Sequence, residues 1–257
     1  MTGEVVVDRV GGVTTITLSN PERRNAITLA MYDRFEAACT EIVGDPDARV
    51  VVLRGAEGNF AGGTDIADLV DISSGEAGVE YESHIARVQQ RLLDLRVPIV
   101  AVVEGVCVGG GLVFAAISDL VYATPDARFG SPIARTLGNT LSAASLARLY
   151  LTFGRRRTNQ MLMTATLLTA QQAHDAGFVN AIVQPDALDA TIDDVTSAIS
   201  SCAPASIRSF KEFERRIDRA LAEITTAEVF AEVYGSSDFH AGVEAFLGKR
   251  RANFTGS

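Results

Sequence analysis

Apolar and polar positions divide the chain into strand-like and helix-like stretches, and the clearest of them meet between residues 97 and 120. Residues 97–103 form an apolar, β-branched run that predicts a buried strand, closed by Glu104-Gly105. Residues 112–117 are apolar and long enough for two turns of helix. Earlier, two β-rich runs within residues 4–18 flank Gly11-Gly12 and predict a hairpin. Thr28 is placed to cap a helix whose stripe is Met31, Phe35, Ala38 and Ile42, and Gly44-Asp45-Pro46 stops it. Residues 49–53 predict a second buried strand. Ile85, Val88, Leu92 and Leu95 mark a helix that ends before Pro98, and residues 120–123 and 127–130 predict short strands. The order strand, strand, helix thus recurs between residues 46 and 150. That recurrence points to a stacked supersecondary repeat without a visible sequence period.

From residue 141 the pattern turns helical. Helices are predicted at 141–153, 155–163, 170–176, 186–201, 205–222, 224–234 and 238–248, with one strand at 178–183. Residues 70–80, VDISSGEAGVE, are small and acidic and predict a mobile lid loop.

The chemistry concentrates in two glycine turns. Gly109, Gly110 and Gly111 stand between a predicted strand and a predicted helix, where the first N–H groups of a helix have no intrahelical partner. Glycines there let a carbonyl approach the bare backbone, and the helix dipole favours negative charge. The same order recurs in GNFAGGTDIADL at 58–69, with Asp65 available to free N–H groups. A carbonyl oxygen held by one N–H from each turn would be polarised as an enolate requires. A tight strand–helix turn that holds no ligand has the same pattern. A phosphate loop is excluded because Gly111 is followed by Leu112 and Val113, and a dinucleotide fingerprint because the three glycines are adjacent.

Composition narrows the classes. At 257 residues, 47% apolar, the chain can bury one large core, and no uncharged apolar segment is long enough to span a membrane. Glu4 and Asp8 do not fit a signal peptide, so a soluble cytoplasmic protein is expected. A net charge of −9 argues against nucleic acid and anionic membranes as partners. Cys39, Cys107 and Cys202 read as buried thiols without a disulfide or zinc pattern.

Asn20-Pro21, Arg24-Asn25-Ala26, FAGGTDI at 60–66 and PIVAVVEGVCVGGG at 98–111 resemble the enoyl-CoA hydratase/isomerase, or crotonase, superfamily. Ser118-Asp119-Leu120, ARFG at 127–130 and AQQAHDAGFVNAIV at 170–183 extend that resemblance to roughly residues 5–250. It implies an α/β fold, a crotonase-like spiral of ββα units over residues 1–190 with a C-terminal helical trimerisation region at 191–257. It implies a CoA thioester as substrate, no further cofactor, lyase or isomerase chemistry, and a homotrimer or dimer of trimers. The oxyanion-hole N–H groups would be those of Thr64 and Gly110. Arg24, Ala26, Ala61, Gly62, Gly63, Asp65, Ile66, Gly109, Val113, Ile133, Phe246 and Lys249 would lie along the CoA thioester.

The departure from the family pattern bears on the reaction. Hydratases of this family place two glutamates at the positions held here by Val113 and Ile133, and neither aliphatic side chain transfers a proton. Ordinary hydration is therefore not expected, and a non-catalytic acyl-CoA binder is the alternative. Arg135 could hold an acyl carboxylate or make a structural ion pair. Tyr81, Glu82 and His84 could fold in from the lid, whereas His84, His174 and His240 match no catalytic position of the family.

Overall fold

A computed structural model describes residues 3–222 and 226–256. The chain opens with an antiparallel hairpin of β1 (Glu4–Val10) and β2 (Val13–Ser19), turned at Gly11-Gly12. Helix α1 (Leu29–Val43) follows, with the Thr28 hydroxyl accepting from the Met31 N–H. β3 (Val50–Gly55) then lies parallel to β2.

Next come α2 (Gly75–Leu93), β4 (Ile99–Val103), β5 (Val106–Val108) and α3 (Gly110–Ile117). β6 (Leu120–Ala123) and β7 (Arg128–Gly130) precede a single turn, α4 (Ile133–Thr136). The large sheet runs β1-β2-β3-β4-β6 and ends in β9 (Ala181–Ile182). The small sheet holds β5, β7 and β8 (Leu168–Thr169), and Ala61 bridges to Cys107 at its edge. The repeats that begin at β4 and β6 thus lay one strand in the large sheet, the next in the small one, and return through a helix, whereas β3 is followed at the small sheet only by the Ala61 bridge. This is the stacked repeat that the recurring pattern predicts, in the spiral that the resemblance implies.

The helical part contains α5 (Ala143–Phe153), α6 (Arg155–Met163), α7 (Ala170–Asp175), α8 (Leu188–Ser201), α9 (Pro204–Ala222), α10 (Ala227–Tyr234) and α11 (Ser237–Leu247). The expected helix at 224–234 begins at Ala227, and residues 224 and 225 lie outside the described ones. The strand expected at 178–183 is paired over only two residues, with Tyr122 and Ala123 of β6. Among the described residues no helix is long and apolar enough to cross a membrane.

The main core lies between the large sheet and α1, α2 and α3. Residues 111–117 of α3 are buried on every side, as a helix apolar all round requires, and the Phe114 ring stacks on Phe35 at 4.6 Å. Cys39 and Cys107 are buried, whereas Cys202 is exposed where α8 ends. The expectation of three buried thiols fails there.

The expected lid loop at 70–80 is also corrected. Ser74 accepts a hydrogen bond from the Ala77 N–H and starts α2 at Gly75, so residues 75–80 are helical. Gly75 and Gly78 look like loop formers, but they are sites of close packing. A Cβ at Gly75 would come within 2.2 Å of the Ala231 carbonyl oxygen, and one at Gly78 within 2.2 Å of the Tyr234 Cβ. Helix propensity yields here to the approach of α10. Leu69, Ile72, Leu137, Phe230, Tyr234, Phe239 and Val243 close a second core at this junction, so α10 and α11 cover one end of the spiral.

Candidate active site

The two glycine turns stand side by side. The first is pinned by Ile27 N–H to the Gly63 carbonyl at 2.7 Å and Asp65 N–H to the Ile27 carbonyl at 2.9 Å. The second is pinned by Gly109 N–H to the Gly130 carbonyl at 3.0 Å. Gly63 and Gly109 have φ of 91° and 54°, and a Cβ on Gly109 would lie 3.4 Å from the Gly63 Cα. At Gly111 a Cβ would collide with the Ala61 methyl at 2.6 Å. The glycines therefore serve backbone-to-backbone packing as well as turning. Among the described residues neither the Thr64 N–H nor the Gly110 N–H has a backbone acceptor. Both residues line one cleft of about 210 Å³.

Thr64 is held from its side chain. Its Oγ1 lies 2.9 Å from the Tyr32 hydroxyl and accepts a hydrogen bond from Tyr81 at 3.1 Å. Burial pushes both phenols above their ordinary pKa, so they stay neutral donors. Tyr32 sits one residue beyond Met31 on the buried face of α1. A polar tip beside an apolar stripe is the signal that the sequence holds for it.

The cleft wall also contains Gly62, Gly63, Ile66, Gly109, Val113, Ile133 and Phe246. Val113 is 3% exposed on α3 and Ile133 opens α4, so both places where a carboxylate would be expected are apolar surface. Ala26 and Ala61 lie behind the wall as buried backbone anchors. The Ala26 carbonyl accepts from Asn20, and Ala61 bonds Val106 and Val108.

Other predicted residues are placed elsewhere. Asp65 is buried, accepts from the Ala67 N–H and takes both oxygens to the Arg23 guanidinium at 2.7 and 2.6 Å, so it caps and tethers its turn. Asn25 ties down the neighbouring loop through the Ala56 and Asn59 carbonyls, leaving Arg24 exposed at a φ of 52°. Lys249 is exposed just beyond α11. Arg135 turns away from the cleft: its Nη2 donates to the Ala165 carbonyl at 2.7 Å and the residue is exposed. His84 likewise leaves the wall for Asp33, at 2.8 Å.

Helix α2 supplies what the glycine turns lack. Tyr81, Glu82, Ile85 and Gln89 project from one face of it into the cleft. The Tyr234 hydroxyl, from α10, donates to Glu82 Oε1, and Asn139 Nδ2 donates to Tyr234 at 3.4 Å. Burial raises the Glu82 carboxyl from 4.5 to about 7, against the opposing pull of the Tyr234 donor. Among the described residues Glu82 is the one charged side chain of the cleft wall.

The ββα units thus set two glycine turns side by side on the wall of one cleft. The profile described as Enoyl-CoA hydratase/isomerase matches residues 8–257, and the chain belongs to that family. It is 30% identical over 253 residues to a short-chain-enoyl-CoA hydratase of Clostridium acetobutylicum, covering 96% of this chain and 95% of that protein. It is 29% identical over 260 residues to the 2,3-dehydroadipyl-CoA hydratase of Escherichia coli, covering 98% and 99%. Among solved structures, a methylmalonyl-CoA decarboxylase in complex with 2-nitronate-propionyl-CoA superposes with a TM-score of 0.88. It is 27% identical, with 99% of each chain covered.

Proposed function

We propose that this chain is an acyl-CoA enzyme that holds the thioester oxygen between the N–H groups of Thr64 and Gly110 and works through a thioester enolate. The observation that carries this reading is the convergence of two unpaired N–H groups, from two separately pinned turns, on one cleft. Donors fixed before the reaction stabilise developing negative charge without reorganising, and one such donor is worth about 10²–10³ in rate. Relatives named as CoA hydratases, and a decarboxylase solved with a CoA ligand, support the thioester as the bound group.

The reaction departs from that of the named hydratases. Adding water to an enoyl-CoA calls for a base on water and an acid on carbon, and the positions that the family gives them hold Val113 and Ile133. The enzyme is therefore a poor hydratase of simple enoyl-CoA esters. Its assembly is a homotrimer or a dimer of trimers. Phe210, Phe213 and Ile217 repeat at helical spacing on α9 and are 59, 57 and 62% exposed, an apolar stripe that a subunit contact would cover. Phe230, by contrast, is buried within the chain and is no part of that surface.

Calorimetric titration with butyryl-CoA, crotonyl-CoA and acetoacetyl-CoA tests the ligand. Saturable binding of at least one is expected, and none would overturn the reading. Sedimentation equilibrium giving a stable monomer of 27.3 kDa would overturn the assembly.

A further inference from the structure

We propose that Glu82 of α2 is the group that moves the proton on the acyl carbon, taking over from the side opposite the two apolar positions. This inference rests on the thioester reading above and adds to it the acid–base residue.

Geometry carries the argument. The cleft wall is lined by backbone at the glycine turns, by aliphatic side chains at Val113, Ile133, Leu137 and Leu141, and by neutral polar groups beyond them. Glu82 is the exception, one helix position after Tyr81, whose hydroxyl reaches Thr64 itself. Glu82 and the Thr64 turn are thus joined through Tyr81. Its partner Tyr234 is fully buried between Phe239, Phe230 and Tyr81, and so cannot follow Glu82 if it moves. A carboxyl fixed by one phenol and otherwise facing a cleft retains a free oxygen for a ligand. Among the described residues nothing else hydrogen-bonds that oxygen.

The step balances without a co-reactant. The Glu82 carboxylate takes a proton from the carbon next to the thioester carbonyl. The C–H electron pair becomes the enolate double bond, and the carbonyl pair moves to the oxygen held by Thr64 and Gly110. Glu82, now a carboxylic acid, returns a proton to the same carbon or to another carbon of the conjugated system. The outcome is α-proton exchange, epimerisation at that carbon, or a shift of a double bond.

The groups facing Glu82 leave it to titrate alone. Tyr81 on its own helix, Tyr234 on α10 and Tyr32 on α1 are all held above the ordinary phenol range by burial. Asn139, Thr140, Ser142 and Ser145 are neutral. Behind the cleft, Arg148 on α5 is ion-paired with Asp218 on α9 at 3.2 Å, and His84 faces Asp33. A carboxyl near 7 is suited to give and take a proton at neutral pH.

Deuterium entry at C2 of butyryl-CoA and 3-hydroxybutyryl-CoA in D₂O, read by mass spectrometry, tests the proposal beside calorimetric binding of the same probes. Exchange should rise with pH through about 7, as the carboxylate forms. Glu82→Gln should bind the probes within a few-fold of the wild type, lose exchange by at least about 10²-fold, and lose the pH dependence. Tyr234→Phe removes the donor that favours the carboxylate, so its exchange midpoint should move to higher pH, which a merely structural contact would not produce. Exchange unchanged in Glu82→Gln would overturn the role of Glu82 while leaving the enolate reading intact. Binding without exchange by the wild type would overturn the proton-moving role and leave a thioester binder. Absence of binding would overturn the thioester reading itself.

Discussion

The cleft has two sides built by different means. One side is backbone, two glycine turns that line the cavity and whose Thr64 and Gly110 N–H groups have no backbone acceptor among the described residues. The other is side chain, with Glu82 and Tyr81 carried on α2 and braced by Tyr234 from 152 residues further along. A backbone site is written locally: it needs glycine where two chains touch and a helix start at the right residue. A side-chain site depends on which distant helices meet.

The comparison breaks most visibly in ordinary hydration. With Val113 and Ile133 on the wall, kcat for crotonyl-CoA should fall below about 10 s⁻¹, since each positioned acid or base is worth about 10²–10⁴. A steady-state assay giving more than that would mean that the side-chain half already supplies both groups.

The backbone half can be damaged by one methyl group. A Cβ at Gly110 would lie 2.4 Å from the Tyr32 hydroxyl, which itself bonds Thr64. Gly110→Ala should lower C2 exchange by about 10²-fold. Adding Tyr32→Phe removes the colliding oxygen and should recover part of the loss, a coupling that a double-mutant cycle measures.

A smaller effect separates the function of Glu82 from its cost to the fold. Folding favours the protonated form of a carboxyl raised from 4.5 to about 7, so the penalty is absent below 4.5 and complete above about 7. Stability should therefore decline as pH rises through that window. Glu82→Gln, which cannot ionise, should match the wild type at pH 4 and exceed it by about 3 kcal/mol or less at pH 8, read by urea unfolding.

The smallest effect concerns Arg135. Its bond to the Ala165 carbonyl is part-buried and outside the cleft, so Arg135→Ala should leave C2 exchange within about twofold and cost about 0.5–1.5 kcal/mol of stability. A larger loss of exchange would return Arg135 to the site.

What the sequence discloses follows the same division. The strand–glycine–helix order discloses the two turns, the family resemblance assigns Thr64 and Gly110 within them, and both residues line one cleft. The recurrence of strand, strand, helix likewise discloses a stacked repeat, which the resemblance makes a spiral. Gly75 and Gly78 mislead because a small residue signals a loop as readily as a close helix contact, and only the position of Tyr234 distinguishes the two. Arg135 reads from its neighbours either as a ligand-holding cation or as a structural contact, and its place on a helix of a single turn directs it to the Ala165 carbonyl. The raised carboxyl of Glu82 is invisible in the chain, because it arises from burial by elements more than a hundred residues apart.

The polarisation of the thioester itself can be read with butyryl-CoA labelled with ¹³C at the carbonyl. Bound to the wild-type protein, the carbonyl stretching frequency should fall and its ¹³C resonance move downfield from the free ester. Both shifts should shrink in Gly110→Ala. A bound carbonyl indistinguishable from the free thioester would contradict the placement of its oxygen between Thr64 and Gly110.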